Sequence, residues 1–280
     1  MRGCPYPCSF CMYGKTPPSR KEVSVVVEEL ADLLGRGLSV ELIDPTFTTY
    51  TKRAKEILRA LADRNYSGTM WFEAYPDSID EELVDLCKRT NVWAVEMGFQ
   101  TLSAEGLKAV ARPQNLEKFE RAVQLLRSAG MRFWVDVIYG LPKTTPADFA
   151  ATMDYLVERG VPQIDVYRLI GLPGSPMMND LDTYGLVFSS TPPYELLSSH
   201  TFSLDDLLFC ERFTRTYYSL RRHLNNDLLR SLSRMAGGLS SLVQFVIDHG
   251  AAESKDADEM TRVLADFMRT YGRRHSKLPA

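Results

Sequence analysis

The sequence predicts an α/β chain with a parallel sheet of the barrel type, and three observations carry that prediction. Strand-length apolar runs alternate with helices of about 10–15 residues, the pattern of repeated βαβ units joined by right-handed crossovers. Five such strands can be counted, each reached through a helix. A thiol-rich loop stands ahead of them, and past about Gly185 the alternation gives way to helices alone. Barrels of this kind carry their chemistry on the loops at the C-terminal ends of the strands. The residues just after each strand are therefore the ones to weigh.

The elements follow in order. Thr16-Pro17-Pro18-Ser19 breaks the backbone before a helix near Lys21, in which Val23, Val26, Val27, Leu30, Leu33 and Leu34 recur at helical spacing up to Gly37. The apolar run 38–43 reads as a strand, and Thr51 opens a helix with Ala54, Ile57, Leu58 and Leu61 on one face. Strand 69–74, helix 79–89 and strand 92–97 come next. Asn115 caps a helix carrying Leu116, Phe119, Val123 and Leu126 up to Gly130, and strand 132–139 follows. Thr145, Pro146 and Asp148 supply a cap, a first-turn proline and a third-position acid for a helix ending at Gly160, before strand 163–169. Residues 191–195 read as an irregular crossing segment. Ser203 to Asp206 has a capping-box pattern opening a helix to about His223, with further helices over 228–247 and 257–271.

Composition narrows the function classes. With 45% hydrophobic and 25% charged residues the chain has ordinary globular make-up, and a net charge of −3 without a basic stripe argues against nucleic acid. No apolar run approaches the ~18 residues of a membrane span. Five cysteines, three of them clustered, read as metal binding in a reducing compartment, hence the cytoplasm, rather than as disulfides. Cys87 and Cys210 fall on apolar helix faces and read as small core side chains. Trp71, Trp93 and Trp134 lie in strands and read as core.

Cys4, Cys8 and Cys11 stand at C-x3-C-x2-C spacing, with Phe10 just before the third. Three close thiolates can hold three irons of a cubic iron–sulfur cluster and leave the fourth open to a small chelating ligand. A zinc knuckle would want a fourth Cys or His nearby, and His200, His223, His249 and His275 are all distant in sequence. The motif resembles the C-x3-C-x-aromatic-C signature of the radical S-adenosylmethionine (SAM) superfamily. The resemblance implies a [4Fe-4S] cluster on the three cysteines, with Phe10 at the cofactor, whose open iron chelates the amino and carboxylate groups of SAM. One electron from such a cluster cleaves SAM to methionine and a 5′-deoxyadenosyl radical. The implied fold is a partial (β/α)6 TIM-like barrel over residues 1–184 with a helical C-terminal extension over 185–280.

The strand ends resemble further family segments. Asp44, with Pro45 and Thr46, is similar to the segment that binds the SAM amino group, although the usual glycines are replaced; an Asp-Pro turn is the other reading. Glu96, Gly98 and Gln100 share one face by alternation and resemble the segment for the ribose and methionine end. Arg112 fits a bidentate pair with the methionine carboxylate, or an exposed helix end. Gly140, in Asp136 to Pro142, resembles the strand ending beside the adenine, where a glycine permits close backbone approach; a tight turn explains it equally. Leu172 and Pro173 resemble an apolar wall for adenine. Glu73 and Tyr75 are strand-end residues that can reach substrate or sit in a solvated turn.

Arg2 to Pro5, the run 44–48 and Pro192 to Glu195 resemble the members that carry a cobalamin-binding domain before the barrel. That implies methyl transfer to unactivated carbon by analogy, since these residues contain no cobalamin motif. Radical chemistry without cobalamin (oxidation or rearrangement) and a non-enzymatic iron–sulfur carrier are the alternatives. Implied partners are a small-molecule or peptide substrate and an electron donor such as flavodoxin or ferredoxin, with no nucleic acid and no membrane. The family's first strand precedes its cysteine loop, so the expectation is a longer catalytic unit with that strand, and a cobalamin domain, upstream of Met1.

Overall fold

The structure, a computed structural model, describes residues 1–275. Five parallel strands form one sheet in sequential order: β1 (Ser39–Leu42), β2 (Thr69–Ala74), β3 (Val92–Gln100), β4 (Arg132–Tyr139) and β5 (Ile164–Arg168). Each connection moves one strand along, as in a singly wound barrel. The helices before and between them are α1 (Val23–Gly35), α2 (Thr51–Leu61), α3 (Glu81–Arg89), a short α4 (Ala104–Ala109), α5 (Leu116–Ser128) and α6 (Pro146–Glu158). The expected caps are present: Asn115 accepts from Lys118 N–H, and Thr145 with Asp148 forms a reciprocal capping box. Such caps are each worth about 1 kcal/mol.

Alternation divides the sheet into two faces. Met70, Phe72, Val95, Met97, Phe99, Phe133, Val135 and Val137 are buried beneath the helices. The opposite face keeps solvent contact and carries acids: Glu73 pairs in register with Glu96 and Trp134, and Gly98 with Asp136 and Asp165. The tryptophans lie on this face, not in the core. Trp71 and Trp134 have ring centroids 5.1 Å apart, Trp93 follows at 6.2 Å from Trp134, and Trp93 is 37% exposed. An indole's hydrophobicity suggests core, but its register position decides, and here that position faces the open side.

Three further differences concern boundaries. β3 runs on to Gln100, whose φ of 67° turns the chain out of the sheet. α4 is an extra one, capped by Ser103 and too short for a periodic signal. The crossing segment instead ends in a strand: β6 (Val187–Phe188) pairs antiparallel with β7 (Leu196–Ser198), after a short α7 (Leu181–Tyr184). Strands of two or three residues leave no alternation to read.

Beyond them lie α8 (Leu204–His223), α9 (Asn226–Ala236), α10 (Leu239–Asp248) and α11 (Ala257–His275), with α9 and α10 parted at Gly237 and Gly238, both at positive φ. α8 runs along β5, where the Tyr218 hydroxyl accepts the Val166 N–H at 2.9 Å. That bond occupies an edge donor of the last strand. Cys87 and Cys210 are 2% and 0% exposed, core side chains as expected.

Candidate functional site

The cysteine loop is held in shape by its own backbone. Arg2 and Ser19 exchange N–H···O bonds of 3.0 and 2.9 Å across its neck, and Cys4 N–H donates to Tyr13 O at 3.1 Å. Gly3 sits at φ 74°, and a Cβ there would lie 2.2 Å from Thr16 O, so this position requires glycine. Two bonds pin the loop to the sheet's mouth: Ser9 N–H to Val110 O at 2.9 Å, and Met177 N–H to Ser9 O at 2.8 Å. Cys8 is buried, while Cys4 and Cys11 are half-buried. Burial raises the Cys4 and Cys11 thiols, against the pull of backbone N–H groups. Bound metal displaces such protons.

Arg112 links this loop to β3. Its Nη2 donates to Gly98 O at 2.7 Å, its Nη1 stands 3.7 Å from Cys8 Sγ, and its guanidinium lies 5.7 Å from the centre of the Tyr75 ring. Tyr75 stacks on Tyr6 of the loop at 4.3 Å and donates its hydroxyl to Pro113 O. A Cβ on Gly98 would meet Gln100 Nε2 at 2.5 Å and Arg112 Nη2 at 2.8 Å. Gln100 and Arg112 therefore converge over a glycine, beside a cysteine of the loop. Arg112 Nε and Gln100 Oε1 are buried and have no partner. Buried polar groups left open in this way call for a ligand or a water.

The acids of the open face complete this mouth. Asp136 stands beside Glu96, and its Oδ1 is buried without a partner. Burial first, then the closeness and charge of Glu96, raises the Asp136 carboxyl to about 9. Burial and the charge of Glu96 raise Glu73 to about 7, with Arg112 opposing. Although part of Glu73 faces the open side, protein atoms crowd its carboxyl.

A stability prediction follows. Both carboxyls bind protons more tightly folded than unfolded. Their stabilisation is present below the ordinary carboxylate range and is lost as pH rises toward about 7 for Glu73 and about 9 for Asp136. Asp136→Asn should flatten the fall in Tm of the ligand-free protein between about pH 5 and about pH 9, by about 2–4 °C per kcal/mol relieved. A Tm slope equal to the wild type's would refute it.

A cavity of about 570 Å³ opens between the loop, the ends of β4 and β5, and α8. Phe10 and Cys11 line it on one side, Ile138, Tyr167 and Leu172 on another, and Glu211, Thr214 and Arg215 of α8 on the third. The structure thus gathers Gln100 and Arg112 beside Cys8, with Glu96 further back on β3 next to Asp136, and Phe10 and Leu172 around a cavity beside Cys11. Asp44, just past β1, pairs with the Met1 amine and lines a groove between β1, α1 and α2. Gly140 does not line the cavity. Its φ is 88° and the place of its Cβ is filled by Leu196 at 2.7 Å, so it serves the turn rather than an open approach. Pro173 is exposed outside the cavity lining. Asp136 and Tyr6 were not singled out from sequence, though alternation along β4 places Asp136 on the open face.

Residues 1–156 match the family model described as the radical SAM superfamily. The chain belongs to that superfamily. Its curated relatives include the tryptophan 2-C-methyltransferase of Streptomyces laurentii, 27% identical over 174 residues, covering 56% of this chain and 29% of that protein. Another is the hopanoid C-2 methylase of Rhodopseudomonas palustris, 25% identical over 65% of this chain and 37% of that protein. The chain thus spans well under half the length of these relatives. Among solved structures, the radical SAM methyltransferase TsrM from Kitasatospora setae, with cobalamin and a [4Fe-4S] cluster bound, matches at TM-score 0.60. That match has 24% identity and covers 69% of this chain and 39% of that one. The fold is therefore the superfamily's TIM-like partial barrel with a helical C-terminal region. Among the described residues no helix is long and apolar enough to cross a membrane.

Membership implies a [4Fe-4S] cluster and SAM, and the residues present fit both. Among the described residues no three His, Cys, Asp or Glu side chains close on a single metal ion. A cubic cluster asks something else of its loop, one thiolate for each of three separate irons. The Tyr13 N–H at 3.4 Å from Cys11 Sγ and Arg112 beside Cys8 are donors suited to sulfur ligands that carry negative charge.

Proposed function

We propose that this chain is the catalytic part of a radical SAM enzyme that binds SAM across the mouth of the barrel, between the cysteine loop and the end of β3. The observation that carries this reading is the convergence of Cys8, Arg112, Gly98 and Gln100. Cys4, Cys8 and Cys11 would hold the cluster. Arg112 would meet the SAM carboxylate, and Gln100 with the Glu96–Asp136 pair would receive hydroxyl and ammonium donors. Phe10 and Leu172 would exclude water from the adenine side. When bound, the cluster and SAM supply a 5′-deoxyadenosyl radical. The protein's part is to orient the cofactor, keep the site dry and hold a proton on Asp136.

For the reaction we infer methyl transfer to carbon of a small molecule, with cobalamin as the methyl carrier. The names of the curated relatives and the cobalamin-bound neighbour support this. Radical oxidation or rearrangement without cobalamin is the competing outcome.

Anaerobic reconstitution followed by reduction tests the first part. SAM should change the electron paramagnetic resonance spectrum of the reduced cluster, and dithionite should release 5′-deoxyadenosine slowly without substrate. A spectrum indifferent to SAM would favour an iron–sulfur carrier. Added methylcobalamin that leaves product formation unchanged in substrate screens would favour the reading without cobalamin.

A further inference from the structure

Arg168 ends β5 in register with Tyr139, and its side chain is only 11% exposed. It lines the cavity beside Cys11, yet its Nε and Nη2 are buried with no partner. Glu195 Oε2 lies 3.8 Å from Nη1, beyond hydrogen-bond length. Glu211, the other acid of the cavity wall, is already engaged by Arg215 Nη2 at 2.5 Å. A guanidinium cannot shed its proton, and the loose contact with Glu195 leaves Nε and Nη2 unmet, so this buried fork is open to an acceptor from outside. The rest of the wall is apolar: Phe10, Ile138, Val166, Leu169, Ile170 and Leu172.

We infer that Arg168 anchors a carboxylate of the substrate, a molecule whose apolar body lies along Ile138, Val166 and Ile170, in the part of the cavity that an adenine against Phe10 and Leu172 leaves open. The planar fork of two N–H groups suits a carboxylate. A phosphate dianion is a poorer match, because Glu195 and Glu211 stand in the same wall. The inference deepens the enzyme reading above and rests on it for the word substrate. The SAM carboxylate is assigned to Arg112 on the far side of β4, which leaves Arg168 for a second ligand.

The probes are phenylacetate and its neutral isostere phenylacetamide, with binding measured by calorimetry on the full chain, both free of cluster and reconstituted with SAM. The wild type should prefer the carboxylate by about tenfold or more, and Arg168→Met should abolish that preference while Arg168→Lys keeps part of it. Glu195→Gln removes the competing charge without touching the buried arginine, and should tighten phenylacetate binding about twofold or more. No preference in the wild type, a preference that survives Arg168→Met, or looser binding in Glu195→Gln would each overturn the inference. Loss of SAM binding together with the preference in Arg168→Met would assign the arginine to SAM and overturn it too. Because the ratio is also read without cluster, a wild type that fails to cleave SAM counts against the enzyme reading and not against the anchor.

Discussion

Cys8→Ala should come out of anaerobic reconstitution without a cluster, while Cys87→Ala and Cys210→Ala should retain about four irons and four sulfides per chain. Cys8 is the most buried of the three loop thiols and the one that Arg112 approaches. Losing it leaves two thiolates for a cluster that needs three, and the same holds for Cys4 and Cys11. The other two cysteines serve as controls for general damage. Burial pushes both thiols up to about 12, so neither supplies a thiolate at neutral pH. Each sits in the helix-packed core, where Cys→Ala should cost about 1 kcal/mol and leave the loop untouched. Iron and sulfide retained in Cys8→Ala, or stoichiometric zinc without an iron chromophore in the wild type, would defeat the assignment.

Much of the fold could be read because its signals are local. β2 and β4 coincide with their expected limits, since each is bounded by turn residues and alternates cleanly. Caps at Asn115, Thr145 and Ser203 need only three residues of context. What could not be read depended on the tertiary setting. An indole in a strand reads as core until the register shows that Trp134 shares its face with Glu73 and Glu96. Gly140 looked like room for a ring, and only the return of β7 shows Leu196 filling that room. Asp44 stands at the end of β1, and only the fold shows that it lines the groove beside α1 and α2.

The site follows the same rule. The three cysteines and Phe10 are contiguous, so spacing alone exposes them. Gln100 and Arg112 are twelve positions apart and meet only because β3 ends in a left-handed residue and Ala111, at φ 51°, bends the chain back. Arg168 gave no signal, for one arginine at the end of a strand is unremarkable until its partners are sought.

Gly98→Ala and Arg112→Met should each weaken SAM binding to the reconstituted protein by about tenfold or more, near 1.4 kcal/mol, while iron content stays close to that of the wild type. The two substitutions act from opposite sides of one contact. Arg112→Met removes the guanidinium itself and leaves Gly98 O without its 2.7 Å donor. Gly98→Ala keeps both side chains, yet its Cβ would stand 2.5 Å from Gln100 Nε2 and 2.8 Å from Arg112 Nη2. Those atoms are the far ends of flexible side chains, so the strand survives and the two groups are displaced from the mouth together. Because the thiolates are unchanged in both variants, the cluster should assemble and the effect should lie in SAM. The measurement is the SAM concentration that half-converts the reduced cluster's paramagnetic resonance signal. Gln100→Ala alone should shift it less, since the charged fork remains. If Gly98→Ala and Arg112→Met titrate like the wild type, SAM is held elsewhere. If both lose their iron instead, Arg112 is a positioning residue of the cysteine loop acting through Cys8, and the carboxylate role assigned to it fails.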